Sequence, residues 1–386
     1  MLDENKETVR PEIELILALS RLKFEAGTIE RCRDIIRDND ATIDWGYFFD
    51  QSGRNKVLPL VSHNIISHRL FYNEEGISAI PYFHVYAAIY AGNVRRNALC
   101  ADEFGGVIAR LNAAGVPYCV RKGPVLVDAY YKDYGLRWIG DLDILVDKRD
   151  LEKVGEVLRS QGYQQGRVTP DGKGIKPFKR STEIFWSMHL NNAPPYMKPA
   201  TSLEVEGGFQ VDLCHDIFQR RLGGGGSVST ADLLSRRIEM RLYGQPSYAL
   251  AVDDQFLDLC MHFHKEATAR YYIESHNSLQ LRKLLDIAES CKEVMRRGGW
   301  DGIVARARTC NMLNSLYYAL HYTSLVYPEA VPPQVVAEIK PEDCSFIDEY
   351  GAVDGKTALW DQGPLARMFG QQHVNRGDVR GTVPRI

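Results

Sequence analysis

Long runs of one kind of charge are missing from this chain of 386 residues. No five basic residues stand together, and 47 Lys and Arg side chains are balanced by 50 Asp and Glu side chains, for a net charge of −3. Proteins that follow a phosphate backbone depend on clustered basic residues. We therefore do not expect nucleic acid as the main partner of this chain.

Long apolar runs are missing as well. An α-helix that crosses a bilayer needs about 20 mostly apolar residues. The most apolar segment, residues 81–92, is interrupted by His84 and ends in polar residues. We also expect no secretory leader. The sequence therefore predicts no membrane span.

Paired cysteines are the third absence. The eight cysteines occur singly and form no C-x-x-C motif. Disulfide-rich secreted domains and common zinc sites place their cysteines in characteristic pairs. The scattered pattern favours a reducing compartment, and we expect a soluble, cytoplasmic protein.

What remains is the composition of a compact globular protein, with 45% hydrophobic and 25% charged residues. In the N-terminal part, Asp44 is placed to cap a helix. A later helical pattern stops at Gly115, and a run of glycines at 223–226 marks a second boundary. We therefore expect an α+β fold. Its four predicted segments are an N-terminal helical region at 1–115, a core of alternating strands and helices at 116–222, a C-terminal helical domain at 223–340 and a tail at 341–386.

The second half of the predicted core carries strand signals. Residues 182–216 are predicted as further strands. Residues 203–215 are predicted as a hairpin folded at the Gly207-Gly208 pair, because two glycines favour tight hairpin turns. Asp212 would then lie in the second arm of this hairpin.

Two carboxylates stand at the start of a predicted apolar strand, residues 142–146. Residues i and i+2 of a strand point to the same face, about 6.6 Å apart, so Asp141 and Asp143 point together. Like charges raise each other's pKa unless a cation neutralises them, and carboxylate oxygens suit hard divalent cations such as Mg²⁺. The alternative is that both residues only cap or solvate the end of the strand.

Asp212 is a third candidate carboxylate, flanked by apolar neighbours as expected for a charged strand residue that faces a site. Three strand carboxylates suit phosphoryl transfer with two metal ions, which clamp the attacking and the leaving oxygens. Taken alone, Asp212 is more simply an exposed strand residue. The nearest replacements for it are Glu204, Glu206 and Asp216.

A tight turn precedes the paired aspartates, with the sequence Arg121-Lys122-Gly123-Pro124. It stands at a strand-to-helix junction, where backbone N–H groups can hold phosphate, and Lys122 could add a positive charge to a triphosphate. Taken alone, it is an ordinary turn. Arg137, in the loop that enters the second strand, could either reach a phosphate or brace that loop.

Several other polar and aromatic residues are expected to be structural. Two histidines are expected to be partly buried and hydrogen-bonded on one helix: His262 and His264. Three basic residues are expected at solvated helix positions: Lys265, Arg282 and Lys283. Three aromatic residues could stack on a base but are expected in the core instead: Tyr130, Tyr131 and Trp138.

Residues 120–146 resemble the signature of the uncharacterised nucleotidyltransferase family within the DNA polymerase β superfamily. That family has Lys-Gly, then a helix that contains tyrosine, then an arginine and the pattern D-h-D-h-L-V, in which h is hydrophobic. The corresponding residues here are Lys122-Gly123, Arg137 and the segment from Asp141 to Val146. The likeness extends over most of residues 44–330.

The resemblance implies a mixed β-sheet core with helices packed on it, and transfer of a nucleoside monophosphate from a nucleoside triphosphate. It implies two Mg²⁺ ions, with Mn²⁺ as an alternative. Asp141 and Asp143 would bind both ions, and Asp212 would bind only the ion that activates the acceptor. The residues implied to bind the nucleotide are Lys122, Gly123 and Arg137.

Two departures from the family pattern stand out. Most of the wider superfamily has Gly-Ser where this chain has Gly123-Pro124, so a serine contact to phosphate is missing. After the third carboxylate the family often has Leu-His-Trp, whereas here Leu213 is followed by Cys214 and His215. The role of that histidine is therefore left open.

The expected partners are a nucleoside triphosphate and an unidentified acceptor, which could be a small molecule, a peptide or a protein. A non-catalytic nucleotide sensor and a metal-dependent phosphohydrolase are the two alternatives. The Lys-Gly turn before the paired aspartates favours transfer, because such a turn is suited to a triphosphate. The base of the nucleotide and the oligomeric state are left open.

Overall fold

The structure is a computed structural model that describes residues 9–205, 207–218, 224–275, 277–353 and 356–370. In these ranges the α-helices are α1 Pro11–Leu19, α2 Thr28–Asp38, α3 Trp45–Arg54, α4 Leu58–Ser67, α5 Phe83–Ala113, α6 Gly123–Leu126, α7 Leu151–Ser160, α8 Arg180–His189, α9 Thr230–Ser235, α10 Val252–Thr268, α11 Arg270–Glu274, α12 Leu281–Arg296, α13 Asp301–Thr309, α14 Leu313–Val326, α15 Pro333–Ile339 and α16 Pro364–Phe369. The strands are β1 Tyr118–Val120, β2 Leu142–Val146, β3 Gln164–Val168, β4 Ile175–Pro177, β5 Tyr196–Lys198, β6 Phe209–Cys214, β7 Ile238–Leu242, β8 Gln245–Ala249, β9 Glu349–Val353 and β10 Lys356–Leu359.

Eight strands of the described chain form one mixed sheet, in the order β4-β3-β5-β6-β2-β1-β8-β7. At its centre, β2 runs parallel to β6 and antiparallel to β1, and β1 runs parallel to β8. The strands β7 and β8 come after residue 222, where the sequence predicted the end of the core. The sheet therefore extends across that predicted boundary.

The two faces of the sheet are buried under different helices. Side chains alternate between the faces along each strand. On one face, Ile144 and Leu213 pack with Phe104 of α5. On the other face, Leu145 and Cys214 pack into the larger core that contains α10, α12 and α14. The C-terminal helices therefore cover the face to which Asp143 and Asp212 also belong.

The helices before and after the sheet share that larger core. Tyr327, beyond α14, donates its hydroxyl hydrogen to the carbonyl of Ser20, beyond α1, over 2.9 Å. The side-chain oxygen of Asn55 accepts from the backbone N–H of Leu281, at the start of α12, over 3.0 Å. The helices that the sequence placed in two separate segments are therefore packed together.

The predicted α+β fold with a mixed sheet is confirmed. The prediction of strands throughout residues 182–216 is wrong in two places, because α8 begins at 180 and a single 3₁₀ turn covers Leu203–Val205. β6 pairs antiparallel with β5 instead of with a strand at 203. Gly207 and Gly208, at φ of 88° and 80°, turn the chain from the 3₁₀ turn into β6.

The segment predicted as a tail contains packed structure up to α16. The hydroxyl of Tyr47 in α3 donates to the carbonyl of Phe369 over 2.7 Å, and the side chains of Met368 and Phe369 are buried. Residues 371–386 lie outside the described residues.

The helices agree with the prediction of no membrane span. Within the ranges that the structure describes, none of the helices is both long and apolar enough to cross a membrane.

The N-terminus of α3 offers a test of this architecture. The carboxylate of Asp44 accepts from the backbone N–H of Tyr47 over 2.9 Å, as the sequence predicted for a capping residue. We expect Asp44→Ala to lower the free energy of unfolding by about 1 kcal/mol, because an amide at the helix start loses its acceptor. Urea unfolding followed by circular dichroism measures this change.

Two further variants complete this test. Asp44→Asn retains an acceptor and should be close to wild type. Asp40→Ala removes an exposed carboxylate outside the helix and serves as the control. An equal loss of stability in Asp40→Ala and Asp44→Ala would contradict the capping role.

Candidate active site

A row of charged residues crosses three neighbouring strands at the centre of the sheet. Asp143 of β2 lies opposite Asp212 of β6 in the parallel register. The backbone N–H of Arg121, just after β1, donates to the carbonyl of Asp143 over 3.0 Å. Asp141 directly precedes β2 and, by strand alternation, shares the face of Asp143. The structure thus brings the three carboxylates together on one face of the sheet.

Along β2 and β6, this face of the sheet changes from charged to apolar side chains. Leu145 and Cys214 point in the same direction as Asp143 and Asp212, two residues further on, and both are buried in the core. Asp143 itself is only 5% exposed. The carboxylates therefore lie at the margin of the helical core, with Asp143 buried and Asp141 and Asp212 partly exposed.

The turn after β1 directs a lysine at these carboxylates. Nζ of Lys122 donates to Oδ1 of Asp143 over 3.0 Å. Lys122 has φ of 52°, a conformation that costs a non-glycine residue roughly 1–3 kcal/mol. At Gly123, an added Cβ would lie 2.8 Å from Nη1 of Arg137, so only glycine fits there without displacing the arginine. The turn is therefore constrained at both residues.

The three carboxylates have different proton affinities. Burial and the negative charge of Asp143 raise the pKa of Asp141 to about 6. Burial and the negative charges of Asp141 and Asp143 raise the pKa of Asp212 to about 8. Burial alone would raise the pKa of Asp143, but the positive charges of Lys122 and Arg121 outweigh it and lower this pKa. One lysine therefore does not balance the three carboxylates.

Two buried ion pairs connect this row to the helices. Arg121 donates to both carboxylate oxygens of Asp258 in α10, with Nη2 bonded to Oδ1 and Nε 2.9 Å from Oδ2. Arg137 binds Asp286 of α12 in the same way, over 3.0 and 2.8 Å, and the hydroxyl of Tyr131 donates to Asp286 over 2.7 Å. Two roles were left open for Arg137, and the structure shows that it braces its loop against α12. A contact of its Nη1 with phosphate stays a prediction.

Helices α10 and α12 turn a charged surface toward the sheet. Lys283 pairs with Glu266, and Oε1 of Glu266 lies 3.1 Å from Nε2 of His262. Lys283 is 8% exposed, and Lys265 and Arg282 are half-buried. The prediction that these three cations are solvated is therefore wrong. Helical periodicity alone does not reveal which polar positions face another element.

The histidines expected to be structural have hydrogen-bond partners. Nδ1 of His264 lies 2.9 Å from Oγ of Ser315, and His262 is bound to Glu266 as described above. Both predictions are confirmed. His215 lies beyond β6, where burial and the positive charge of Lys148 lower its pKa. His215 thus lies at the C-terminal end of β6, whereas Asp141 lies at the N-terminal end of the parallel strand β2.

The aromatic residues divide into two groups. Tyr130 and Tyr131 pack into the helical core as predicted. Trp138 is 44% exposed, and the Arg96 guanidinium lies 3.7 Å from the centre of its ring. The prediction of a core position for Trp138 is therefore wrong. Its ring is supported by an arginine instead of by apolar neighbours.

The alternative third carboxylates are placed elsewhere or lie outside the described residues. Glu204 pairs with Arg95 of α5 over 2.7 Å, and Oδ1 of Asp216 accepts from the backbone N–H of Phe218 over 2.8 Å. Glu206 is not among the described residues. Asp212 is the candidate that stands in register beside Asp143.

The carboxylate row and its supporting helices fall within the part of the chain that matches a known family. The sequence profile of the uncharacterised nucleotidyltransferases matches residues 41–328. The chain belongs to this family. A comparison with curated proteins found no match. Membership supports nucleotidyl transfer as the general reaction class.

The donor set of this family member fits a hard divalent cation. Oxygen ligands from carboxylates are those that Mg²⁺ and Mn²⁺ prefer, and a divalent cation would neutralise the charge that raises the pKa of Asp141 and Asp212. Among the described residues, no group of three or more His, Cys, Asp or Glu side chains is placed to hold a metal ion. In the arrangement seen, Lys122 supplies the positive charge at Asp143.

Sequence reasoning missed two acidic residues that hold basic side chains, since Asp258 pairs with Arg121 and Glu266 pairs with Lys283. Asp258 and Glu266 lie on α10, and Asp258 stands between the buried residues Leu257 and Leu259. A carboxylate within a buried stretch of helix is rarely left unpaired. That signal was present in the sequence and predicts a basic partner, although it does not say which one.

The Arg121–Asp258 pair generates a stability prediction. We expect Asp258→Asn to lower the free energy of unfolding by about 3 kcal/mol or more, because it leaves the Arg121 charge buried without a counter-charge. Guanidinium-induced unfolding monitored by tryptophan fluorescence measures the change. The control is Glu338→Gln, which breaks an exposed pair with Arg308 and should cost below about 1 kcal/mol.

The double variant Arg121→Met/Asp258→Leu separates charge from packing. Replacing both charges with apolar side chains should recover most of the lost stability. A single Asp258→Asn variant that is as stable as Glu338→Gln would show that the buried pair does not hold α10 against the sheet.

Proposed function

We propose that this protein is a magnesium-dependent nucleotidyltransferase that moves a nucleoside monophosphate from a nucleoside triphosphate to an acceptor and releases pyrophosphate. The acceptor is a small molecule, a peptide or a protein. The observation that carries the proposal is the register of Asp143 against Asp212, with Asp141 on the same face and Lys122 bonded to the row. Three carboxylates beside a lysine-bearing turn at a strand-to-helix junction suit phosphoryl transfer.

Each residue of the row has a distinct part in this proposal. Asp141 and Asp143 would hold two Mg²⁺ ions, or Mn²⁺ in their place, and Asp212 would hold one of them. When bound, the ions would neutralise phosphate charge and lower the pKa of the attacking group. Lys122 would add a further positive charge to the phosphates, and Gly123, which has no Cβ, would keep Arg137 close to the same turn.

The reaction itself is a displacement at phosphorus. The nucleophilic oxygen or nitrogen of the acceptor forms a bond to the α-phosphorus, and the bond from that phosphorus to the oxygen bridging to the β-phosphate breaks. Pyrophosphate leaves with the bonding electrons, and the acceptor loses a proton. The part of the protein is positioning and charge stabilisation.

A non-catalytic nucleotide sensor and a phosphohydrolase would use the same fold. A sensor would have little need for the third carboxylate, whereas Asp212 is half-buried next to two others, and its pKa is raised there to about 8. A hydrolase would transfer the phosphoryl or nucleotidyl group to water. Incubation with each labelled triphosphate, beginning with ATP, distinguishes the three functions. A transferase releases pyrophosphate and labels an acceptor or the protein. A hydrolase produces free nucleoside monophosphate, and a sensor produces neither.

Asp212 and Asp143 should differ in what they do for nucleotide binding. We expect Asp212→Asn to bind nucleotide and Mg²⁺ with nearly wild-type affinity but to lose transfer by a factor of at least ~10², the scale of losing a general base or its metal equivalent. Asp143→Asn should lose both binding and transfer, because it would serve both metal ions. Calorimetry and a pyrophosphate-release assay measure the two quantities.

Glu204→Gln is the matched control for these variants, because Glu204 was a candidate for the third carboxylate and pairs with Arg95 instead. It should keep full activity. If Asp212→Asn retained transfer activity and Glu204→Gln lost it, Asp212 would not be the third carboxylate.

Lys122 is predicted to act in binding more than in chemistry. We expect Lys122→Ala to weaken nucleotide affinity several-fold while the fold stays intact, because a charged contact to phosphate is lost. Calorimetric titration with nucleotide and Mg²⁺ measures the affinity, and circular dichroism checks the fold. Unchanged affinity in a folded variant would remove Lys122 from the nucleotide site.

A further inference from the structure

Two more cations stand beside the carboxylate row, and they come from distant parts of the chain. Lys56 lies in the connection between α3 and α4, and Arg282 lies in the first turn of α12. Asn55 joins these segments, since its side chain accepts from the N–H of Leu281 over 3.0 Å and its carbonyl accepts from the N–H of Arg282 over 3.2 Å. Lys56 is therefore held next to Arg282.

The helical position of Arg282 directs it to the site. It precedes Asp286 by four residues, so the two side chains lie on the same face of α12. Asp286 holds Arg137, whose Nη1 lies against Gly123. Arg282 thus faces the turn that follows β1. Its guanidinium is suited to bidentate contact with phosphate.

Electrostatic interactions join the same two cations to the carboxylates. Burial lowers the pKa of Lys56 to about 8, with the charges of Arg282 and Lys283 acting in the same direction and the charges of Glu266 and Asp141 opposing them. Arg282 in turn is one of the positive charges that oppose the rise in the pKa of Asp141. Lys56, Arg282 and Asp141 therefore share one site.

The pairing of these two cations differs from that of the basic residues around them. Arg121, Arg137 and Lys283 each have a carboxylate partner. Among the described residues, Lys56 and Arg282 have no ion-pair partner, and Nε of Arg282 is buried without a hydrogen-bond acceptor. Two neighbouring positive charges in a partly buried place repel each other. An anionic ligand would remove that repulsion.

The backbone of Lys56 adds an independent observation. Its φ is 56°, at a position just after a helix where glycine is common because it has no Cβ. The N–H of Lys56 is bonded to the carbonyl of Gly53 over 2.9 Å, and that of Val57 to Ser52 over 3.0 Å. A lysine in this conformation is strained, and strained residues cluster at ligand sites.

We propose that Lys56 and Arg282 bind the β- and γ-phosphates of the nucleoside triphosphate and therefore the pyrophosphate before it leaves. This assignment rests on the proposed function for the identity of the ligand. It places the polyphosphate at the Asp141 end of the carboxylate row, between α12 and the turn at Lys122. It also gives the N-terminal helices a direct part in substrate binding.

Inorganic tripolyphosphate, without metal and in the presence of a chelator, is the probe. We expect calorimetry to show that Lys56→Asn and Arg282→Gln each weaken its binding at least ~10-fold, the scale of one charge-assisted contact. Asparagine is chosen at 56 because it tolerates positive φ. Lys153→Ala, which removes an exposed lysine of α7, should bind like wild type.

A second readout separates ligand binding from a structural role. Because the two cations repel each other in the free protein, each variant should have a thermal midpoint equal to or above that of wild type without ligand, and a smaller upward shift with tripolyphosphate. Variants that are destabilised but bind tripolyphosphate normally would overturn the proposal, because they would show bracing instead.

Competition identifies the source of the phosphates. Tripolyphosphate should displace nucleotide from the wild-type protein. If it binds through Lys56 and Arg282 without displacing nucleotide, the subsite serves a phosphate of the acceptor and the proposal is wrong.

The outcomes also separate this inference from the proposed function. Transfer that depends on Asp212, with wild-type KM in both cation variants, would overturn the subsite and leave the function intact. The opposite result is a protein without transfer activity in which tripolyphosphate binding requires both cations and competes with nucleotide. That result would support the subsite and overturn the proposed function.

Discussion

The bidentate ion pair between Arg121 and Asp258 is the contact on which the arrangement of the site depends. Through its main chain, Arg121 is bonded to Asp143 of β2, and through its side chain it is bonded to α10. The next residue is Lys122, so the position of the turn follows from this pair. Because a buried charge is costly without its partner, the sheet and α10 are bound to one relative placement. The pair between Arg137 and Asp286 does the same for α12.

Between these two ion pairs, the charges of the carboxylate row are not balanced by neighbouring charges. The bracing cations are paired, whereas burial and the negative charges of neighbouring carboxylates raise the pKa values of Asp141 and Asp212. A short distance away, Lys56 and Arg282 have no ion-pair partner among the described residues, and Nε of Arg282 has no hydrogen-bond acceptor there. Unsatisfied charges of both signs in one partly buried region are typical of a site that takes a ligand carrying both, such as a polyphosphate with its metal ions.

The order of the chain explains why helices from both ends share a core. The segment around Lys56 precedes the sheet, and α12 follows it, yet Asn55 binds the first turn of α12 directly. The family match, from residue 41 to 328, includes both segments and the whole carboxylate row. The unit that builds the site is therefore larger than the strand-rich segment between residues 116 and 222.

The sequence by itself determined the local features. The alternation of strand residues placed Asp141 and Asp143 on one face, the capping role of Asp44 followed from its position before a helix, and the motif at 120–146 indicated the family. Only the tertiary structure decided which strand lies beside β2, that Arg137 faces Asp286, and that Arg282 is not solvated. Local periodicity depends on neighbours in sequence. A register between distant strands and an ion pair between distant helices depend on the packing of the whole chain, because burial turns a solvated charge into one that requires a partner.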